Sequence, residues 1–452
     1  MPSRQEITHS LVPCDNVSVA VRRCGRDVLR LSTGVHYRCA GLRLSSVRPL
    51  LVLAAGLALL LAPAGARGDD APPDPDRDEF VPLPDVGGNS DIGIEIGASV
   101  TFARFRHDKY PYLYRLDAVA ETAFKSQNGL SLTQQYDTAR LDIPELFSKR
   151  LRLDTRIDYV RRVNSLWFGE GNQTVAVPLP ASPDPAHDDQ YIFQHVRLRP
   201  LARIKTGTPF DVALSMNTRY EFPDPYPGSK LAEDLASGAE IGGKAMLLHS
   251  VAAGVMVDTR DNEFFPKGGI FYQIGASGTI GSEERVRFGE ASATLAHYAT
   301  LGGPFHFASR MLGSFLFGTI PFYELQQGGV FDPQFLPGGA HGIRGVKLSR
   351  YAGRIKVVSN NELRFDPIPR FRILGWKLLV GMTTFFDAGR VWTDYTFSPT
   401  KDGRSLGLKW GAGGGLFFQW DTASIVHIDL AYSPDLVASP PLAFYVGNGF
   451  LF

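Results

Sequence analysis

From Asp91 onward the chain alternates, in segments of 10 to 15 residues, between two kinds of side chain. In 152–159, Leu153, Thr155, Ile157 and Tyr159 share one face of an extended chain, and Arg152, Asp154, Arg156 and Asp158 share the other. The pattern returns in 113–124, where Tyr114, Leu116, Ala118, Ala120, Thr122 and Phe124 oppose Arg115, Asp117 and Glu121, and in 424–432, where Val426, Ile428, Leu430 and Tyr432 oppose His427 and Asp429. Strands of a water-soluble sandwich alternate too, but they run to roughly six residues. These are about twice as long, which suits a tilted crossing of a bilayer. The polarity is therefore read inside out, with apolar faces toward lipid and charged faces lining a wet lumen. An open sheet edge in hydrocarbon would leave backbone groups unpaired at several kcal/mol each, so the sheet is expected to close. The expected fold class is all-β: a transmembrane antiparallel β-barrel with an inward-folded long loop.

Strands are predicted near 91–105, 112–125, 129–143, 149–161, 166–178, 191–206, 209–222 and 241–258. Eight more follow near 269–281, 286–301, 304–319, 353–366, 375–387, 406–420, 423–433 and 442–452, making sixteen. Segment 166–178 is partly inferred, because without it a long connection would fall on the side of the short turns. With it, short turns (126–128, 207–208, 302–303, 421–422) alternate with longer loops (179–190, 223–240, 320–352, 388–405). An even count returns both ends to the periplasm.

The N-terminal part has a different character. A polytopic helical membrane protein would need several uncharged runs of about 20 residues, and the chain has one, between Arg48 and Arg67. Its apolar core, Leu50 to Ala62, follows Arg38, Arg43 and Arg48 and precedes Ala64-Gly65-Ala66, small residues of the kind a signal peptidase accepts. Residues 1–66 are read as a signal peptide with a long n-region, cleaved after Ala66. Residues 67–90, rich in Pro, Asp and Gly, are read as a periplasmic linker. Removing 1–66 takes eight arginines and three acids, leaving 39 basic and 43 acidic residues and a net charge of −4. That balance argues against a nucleic-acid partner. Cys14, Cys24 and Cys39 leave with the same segment, and with them any disulfide, thiolate or lipidated cysteine.

Candidate chemistry gathers in the loop between Pro321 and Ala352, at Leu336-Pro-Gly-Gly-Ala-His-Gly-Ile-Arg-Gly-Val346. Gly338, Gly339, Gly342 and Gly345 allow a sharp hairpin tip that can deliver Arg344. Two following strands offer acceptors. Glu362 lies on the face of Asn360 and Arg364, opposite Leu363 and Phe365, and Asp387 lies on the face of Lys377 and Thr383, opposite Trp376, Val380 and Phe386. A guanidinium with two carboxylates can make forked, charge-assisted bonds that hold a loop inside a barrel.

These residues resemble a known family. Ile343-Arg344-Gly345-Val346 is similar to the loop signature of the BamA/TamA outer-membrane assembly proteins, also called the bacterial surface antigen family. Val257-Asp-Thr-Arg-Asp-Asn-Glu-Phe-Phe-Pro-Lys-Gly-Gly269 resembles that family's periplasmic turn, in which Asp258, Arg260, Asp261, Pro266 and Gly268 form a hydrogen-bonded clamp. Asn361–Phe365 and Phe385–Gly389 resemble the two strands after the loop, and Pro84–Gly93 the start of the barrel. The resemblance implies a sixteen-stranded barrel with Arg344 against Glu362 and Asp387, and a weakly zipped seam between first and last strands. In the family that seam opens laterally to admit nascent barrel strands or other substrates. Val346 replaces the usual aromatic residue, which removes a stacking contact, and only 67–90 is available where family members carry periplasmic docking domains.

The C-terminus adds Tyr445-Val-Gly447-Asn-Gly-Phe450-Leu-Phe452, which resembles the terminal recognition strand of outer-membrane barrels; Phe444, Val446, Phe450 and Phe452 are expected on one face, with the last ring at the bilayer rim. Catalytic readings find less support. Gly411–Gly415 and Pro337–His341 lack the Lys-Ser/Thr and helix of a phosphate loop, the histidines form no zinc motif, and no nucleophile elbow accompanies His341. The expectation is an exported outer-membrane barrel without catalytic residues, metal or cofactor, acting in assembly, insertion or translocation of proteins or lipids. Its expected partners are outer-membrane lipid, nascent outer-membrane proteins and periplasmic assembly factors. The rival is a passive structural barrel or pore whose loop is a plug.

Overall fold

The computed structural model describes residues 76–452 apart from 110, 127–129, 148–149, 176–184, 284, 368–370, 374–375, 421–423 and 436–440. The expected signal segment lies outside these residues. Sixteen antiparallel strands close a barrel: β1 Asp78–Asn89, β2 Gly93–Arg104, β3 Tyr114–Ser126, β4 Leu130–Leu146, β5 Leu151–Leu166, β6 Gln190–Lys205, β7 Phe210–Glu221 and β8 Met246–Asp258. The second half comprises β9 Gly269–Gly281, β10 Arg287–Gly302, β11 Phe305–Thr319, β12 Ile355–Phe365, β13 Trp376–Trp392, β14 Lys409–Trp420, β15 Ser424–Tyr432 and β16 Leu442–Asn448. Each strand pairs with its chain neighbours, and β16 returns to β1.

The polarity of the wall is inverted relative to a soluble protein. On β11 the outward Phe305, Phe307, Met311, Phe315 and Phe317 are exposed, while the inward His306, Arg310 and Ser314 are buried. On β5, Ile157 is exposed and Asp158 is buried. Oily side chains thus form the outer surface and polar ones the filling, the distribution that a lipid solvent selects.

The count of sixteen stands, but two of the expected elements do not. Residues 78–89, expected within the linker, are β1, paired with β2 along its full length. Residues 167–175, the described part of the expected 166–178 strand, do not form it. After β5 the chain turns through Gly169 (φ 85°) and Gly171 (φ 120°), and Trp167 inserts into a buried aromatic cluster, donating from Nε1 to Asp234 at 2.9 Å. The exchange also reverses the side assigned to the early turns. The ends of β3 and β4 that 127–129 joins lie at the long-loop rim, opposite the 206–209 turn. From β6 onward the expected orientation and the observed one agree.

At the long-loop rim the lumen is filled. Helix α1, Lys230–Ser237, is capped by Ser229, whose side chain accepts from the Ala232 amide. Its Leu231 packs with Trp167, Tyr191, Phe193, Phe322 and Tyr323. Phe322 and Tyr323 come from the loop between β11 and β12, which descends into the barrel.

Candidate functional site

That loop places Arg344 against the wall formed by β11 to β15. Its Nε and Nη2 donate to Asp387 Oδ2 and Oδ1 at 2.8 and 3.1 Å, and its own amide donates to Oδ2 at 3.1 Å. Nη1 donates to Glu362 at 2.8 Å and to Asp429 at 3.2 Å, while the guanidinium carbon lies 3.5 Å from the centroid of the Phe385 ring. The arrangement is a forked pair on one carboxylate plus single bonds to two others, which a point charge could not reproduce. All four charged side chains are at most 3% exposed. Burial by itself would push the Arg344 guanidinium's pKa down; Asp387 and Glu362 outweigh it, so the net direction is up.

Neighbouring groups complete the anchor. Glu362 also accepts from Arg364 Nε and Nη2 at 3.0 and 2.8 Å. Asn360 donates to the Gly342 carbonyl at 2.7 Å and accepts from Arg310, which donates in turn to the His341 carbonyl at 2.5 Å. Ile343 and Val346 are fully buried with Leu312, Leu336, Tyr351, Val358 and Val391. Val346 therefore fills an apolar pocket. Gly345 sits at φ 94° and donates its amide to the Tyr445 hydroxyl at 2.9 Å, tying the loop tip to β16. Gly338 bridges to Ile343, and the Gly339 and Gly342 amides bond within the tip. Burial, and then the charge of Arg310, push the His341 imidazole below its ordinary pKa.

Several of these partners escaped the sequence reading. Asp429 was legible as part of a charged strand face, yet nothing in its spacing linked it to Arg344. Gly411 was legible as part of a glycine run, but its role follows from a neighbour: a Cβ there would lie 1.8 Å from the Arg344 carbonyl oxygen. Arg310 and Asn360 belong to the same anchor, and their inward faces were the available signal.

At the opposite rim, Arg260 donates twice to Asp258 at 2.8 Å, and the Lys267 amide donates to Asp261 at 2.9 Å. The Asp261 amide donates to the Gly268 carbonyl at 3.1 Å, and Pro266 is buried between Phe265 and Lys267. This turn lies far along the chain from the Arg344 anchor and shares no described bond with it.

The C-terminal segment departs from expectation. Phe444 points outward, but the strand ends at Asn448, Gly449 takes φ 80°, and the chain folds into the lumen. Phe450 packs on Phe265 and Phe417, with the Arg364 guanidinium 3.8 Å from its ring centroid, and Arg364 donates to the Phe452 carbonyl at 3.2 Å. Phe450 and Phe452 thus leave the face of Phe444. Buried rings with cationic neighbours hold them inside, in place of a position at the bilayer rim. Tyr445 is inward and buried, and Gly447 lies against His427.

The seam is narrow. β16 pairs with β15 over all seven of its residues, but with β1 through two pairs, Gly88 with Val446 and Asn89 with Tyr445. The Ser90 amide adds a bond to the Phe444 carbonyl at 3.0 Å, and Asn448 reaches the Asp85 carboxylate at 3.0 and 3.2 Å. Among the described residues, no group of His, Cys, Asp and Glu could hold a metal ion.

Comparison with known proteins bears on the fold. BamA from Haemophilus ducreyi lacking POTRA domains 1–3 superposes with a TM-score of 0.52 at 14% identity, over 83% of this chain and 70% of that one. CdiB from Escherichia coli also gives 0.52 at 14% identity, over 83% of this chain and 62% of its own. No curated protein matches the sequence. The profile of the Omp85 superfamily domain matches residues 97–436, three quarters of the chain, with Arg344 and its three carboxylates inside the match, and the protein therefore belongs to the Omp85 superfamily of outer-membrane β-barrels.

Proposed function

We propose that this protein is exported, with a leader ending near Ala66, and works in the outer membrane in the assembly, insertion or translocation of proteins or lipids, without chemistry of its own. The observation that carries this reading is the seam: two backbone pairs and a few side-chain bonds close a barrel whose other strands zip over most of their length. A wall braced by Arg344 beside a seam that weak can open at one line while the rest keeps its shape. The Arg344, Glu362 and Asp387 network, extended by Asp429, is read as the brace. The Asp258 and Arg260 turn is read as a clamp at the short-turn rim. Partners would be membrane lipid, nascent outer-membrane proteins and periplasmic factors. The passive-pore reading has the loop as its plug; packing of Phe322 and Tyr323 into the mouth speaks against a standing channel.

The test locks the seam. Ser90 and Phe444 face each other across it, so Ser90→Cys with Phe444→Cys places two thiols within disulfide reach. In vesicles, the native protein should speed either folding of a urea-denatured eight-stranded barrel or transbilayer movement of labelled phospholipid, and the oxidised double variant should lose the effect until reduced. Acceleration in neither assay, or acceleration indifferent to the lock, would defeat the proposal.

A further inference from the structure

β1 carries two prolines, Pro82 and Pro84, without a break in its register with β2. Elsewhere an interior proline disturbs pairing: the β4–β5 register shifts at Pro144, and the β6–β7 pairs skip Pro200. The difference lies in which way the missing amide points. At the start of β1 the Arg77 carbonyl accepts from the Phe105 amide at 2.8 Å, so odd-numbered residues turn their backbone groups toward β2. Just past its end the Ser90 amide donates to the Phe444 carbonyl, so even-numbered residues turn toward the seam. With the register unbroken between those points, Pro82 and Pro84 remove donors from the seam edge and from nowhere else.

The β16 register shows what those donors would have met. Continuing the pairs Gly88 with Val446 and Asn89 with Tyr445 along both strands sets Pro84 opposite Phe450 and Pro82 opposite Phe452. Those are the residues that turn into the lumen, where Arg364 in place of a β1 amide bonds the Phe452 carbonyl. An unpaired strand edge in hydrocarbon costs several kcal/mol per orphan group. Two fewer donors lower that cost, and the same two absences deny a regular ladder to any strand laid against the edge.

Below Gly88 the β1 edge carries apolar side chains on its outer face and, between the lumenal Glu79 and Asp85, on its lumenal face as well. Phe80 and Val86 are exposed on the outer face, continuous with Ile94 and Ile96 of the lipid-facing belt. Val81 and Leu83, paired with Thr101 and Ser99 on the lumenal face, are 38% and 39% exposed. We infer that Pro82 and Pro84 keep this lower seam as a standing, non-pairing edge, and that the gap beside it takes the acyl chain of a membrane lipid and refuses a β-strand. Hydrocarbon needs no backbone partner; a polypeptide strand does. The inference rests on the reading of the seam as the place where substrate enters, and it narrows the substrate there to lipid.

Photocrosslinking tests it without reading activity, so failure of the assembly proposal would leave the adducts unaffected. Leu83→p-benzoylphenylalanine is introduced in the full chain, reconstituted in phosphatidylethanolamine and phosphatidylcholine vesicles, with an excess of a synthetic peptide of sequence 442–452. The same group at Arg156, on the lumenal face of β5, is the control. The expected product at Leu83 is a phospholipid adduct that is absent at Arg156. With Pro82→Val and Pro84→Val added, the lipid adduct is lost and a peptide adduct replaces it. A peptide adduct in the chain with both prolines, no lipid adduct above the Arg156 control, or a lipid adduct unchanged by the valines would overturn the inference. If the valine variant lacks heat-modifiable folding, the proline-containing chain decides alone.

Discussion

The wall around Arg344 and the seam between β1 and β16 belong to the same sheet, yet they are held together by different physics. At the wall, one guanidinium bridges three carboxylates on three strands, each almost dry. At the seam, two backbone pairs, the bonds between Ser90 and Phe444, and an exposed Asn–Asp contact join the edges. In a low-dielectric interior, removing one partner of a buried ion network is costly because the other charges stay behind. Losing an exposed bond costs little, since water replaces it. Rigidity is therefore concentrated beside the line where motion is needed, on strands that reach as far as β15.

The largest break in this contrast should come from Arg344→Ala, which strands Asp387, Glu362 and Asp429. Destabilisation of roughly 3–5 kcal/mol is expected, read as loss of the heat-modifiable folded form. Arg344→Lys should recover less than half of it, because a point charge cannot fork. Next comes Gly411→Ala, whose Cβ would meet the Arg344 carbonyl; about 1–3 kcal/mol of overpacking cost is expected in urea titration. Asn448→Ala, at the seam, should cost less than about 1 kcal/mol, and an effect as large as that of Arg344→Ala would erase the distinction between the two regions.

A pH-dependent effect lies in neither region and leaves both untouched. Glu240, at the long-loop rim, is raised to about 8 by burial and then by the nearby Glu170 and Asp234. Its folded pKa exceeds the ordinary carboxylate value, so its contribution to stability is fully present below about pH 4.5 and is lost as pH rises through about 8. Glu240→Gln should flatten that slope in thermal unfolding of the rim, with exchange at the wall and seam unchanged.

How much of this the sequence disclosed depended on whether the controlling partner was local. Alternation in 113–124, 152–159 and 424–432 follows from which solvent each face meets, so the closed, inverted barrel was readable. β1 was not, because Asp-Glu-Phe-Val-Pro-Leu-Pro-Asp reads as a linker until one knows that its prolines face an edge. The 166–178 segment misled in the opposite direction, since Trp167 is drawn away by Asp234 and the aromatic cluster, both distant in sequence. Glu362 and Asp387 could be paired with Arg344 from strand faces alone. Asp429, Arg310 and Gly411 could not, because only closure of the barrel brings their strands around the loop tip. The terminal aromatics failed for a similar reason: Arg364 and Phe265, invisible to local periodicity, hold them inside.

Hydrogen–deuterium exchange of the full chain in lipid nanodiscs sets the seam against the braced wall in one experiment. The account predicts that the seam-facing amides of β1 and β16, Phe80 and Val86 among them, exchange orders of magnitude faster than those of β12, which carries Asn360, Glu362 and Arg364. Equal protection of β1, β16 and β12 would contradict it, since a seam as stable as the braced wall could not be where this barrel opens.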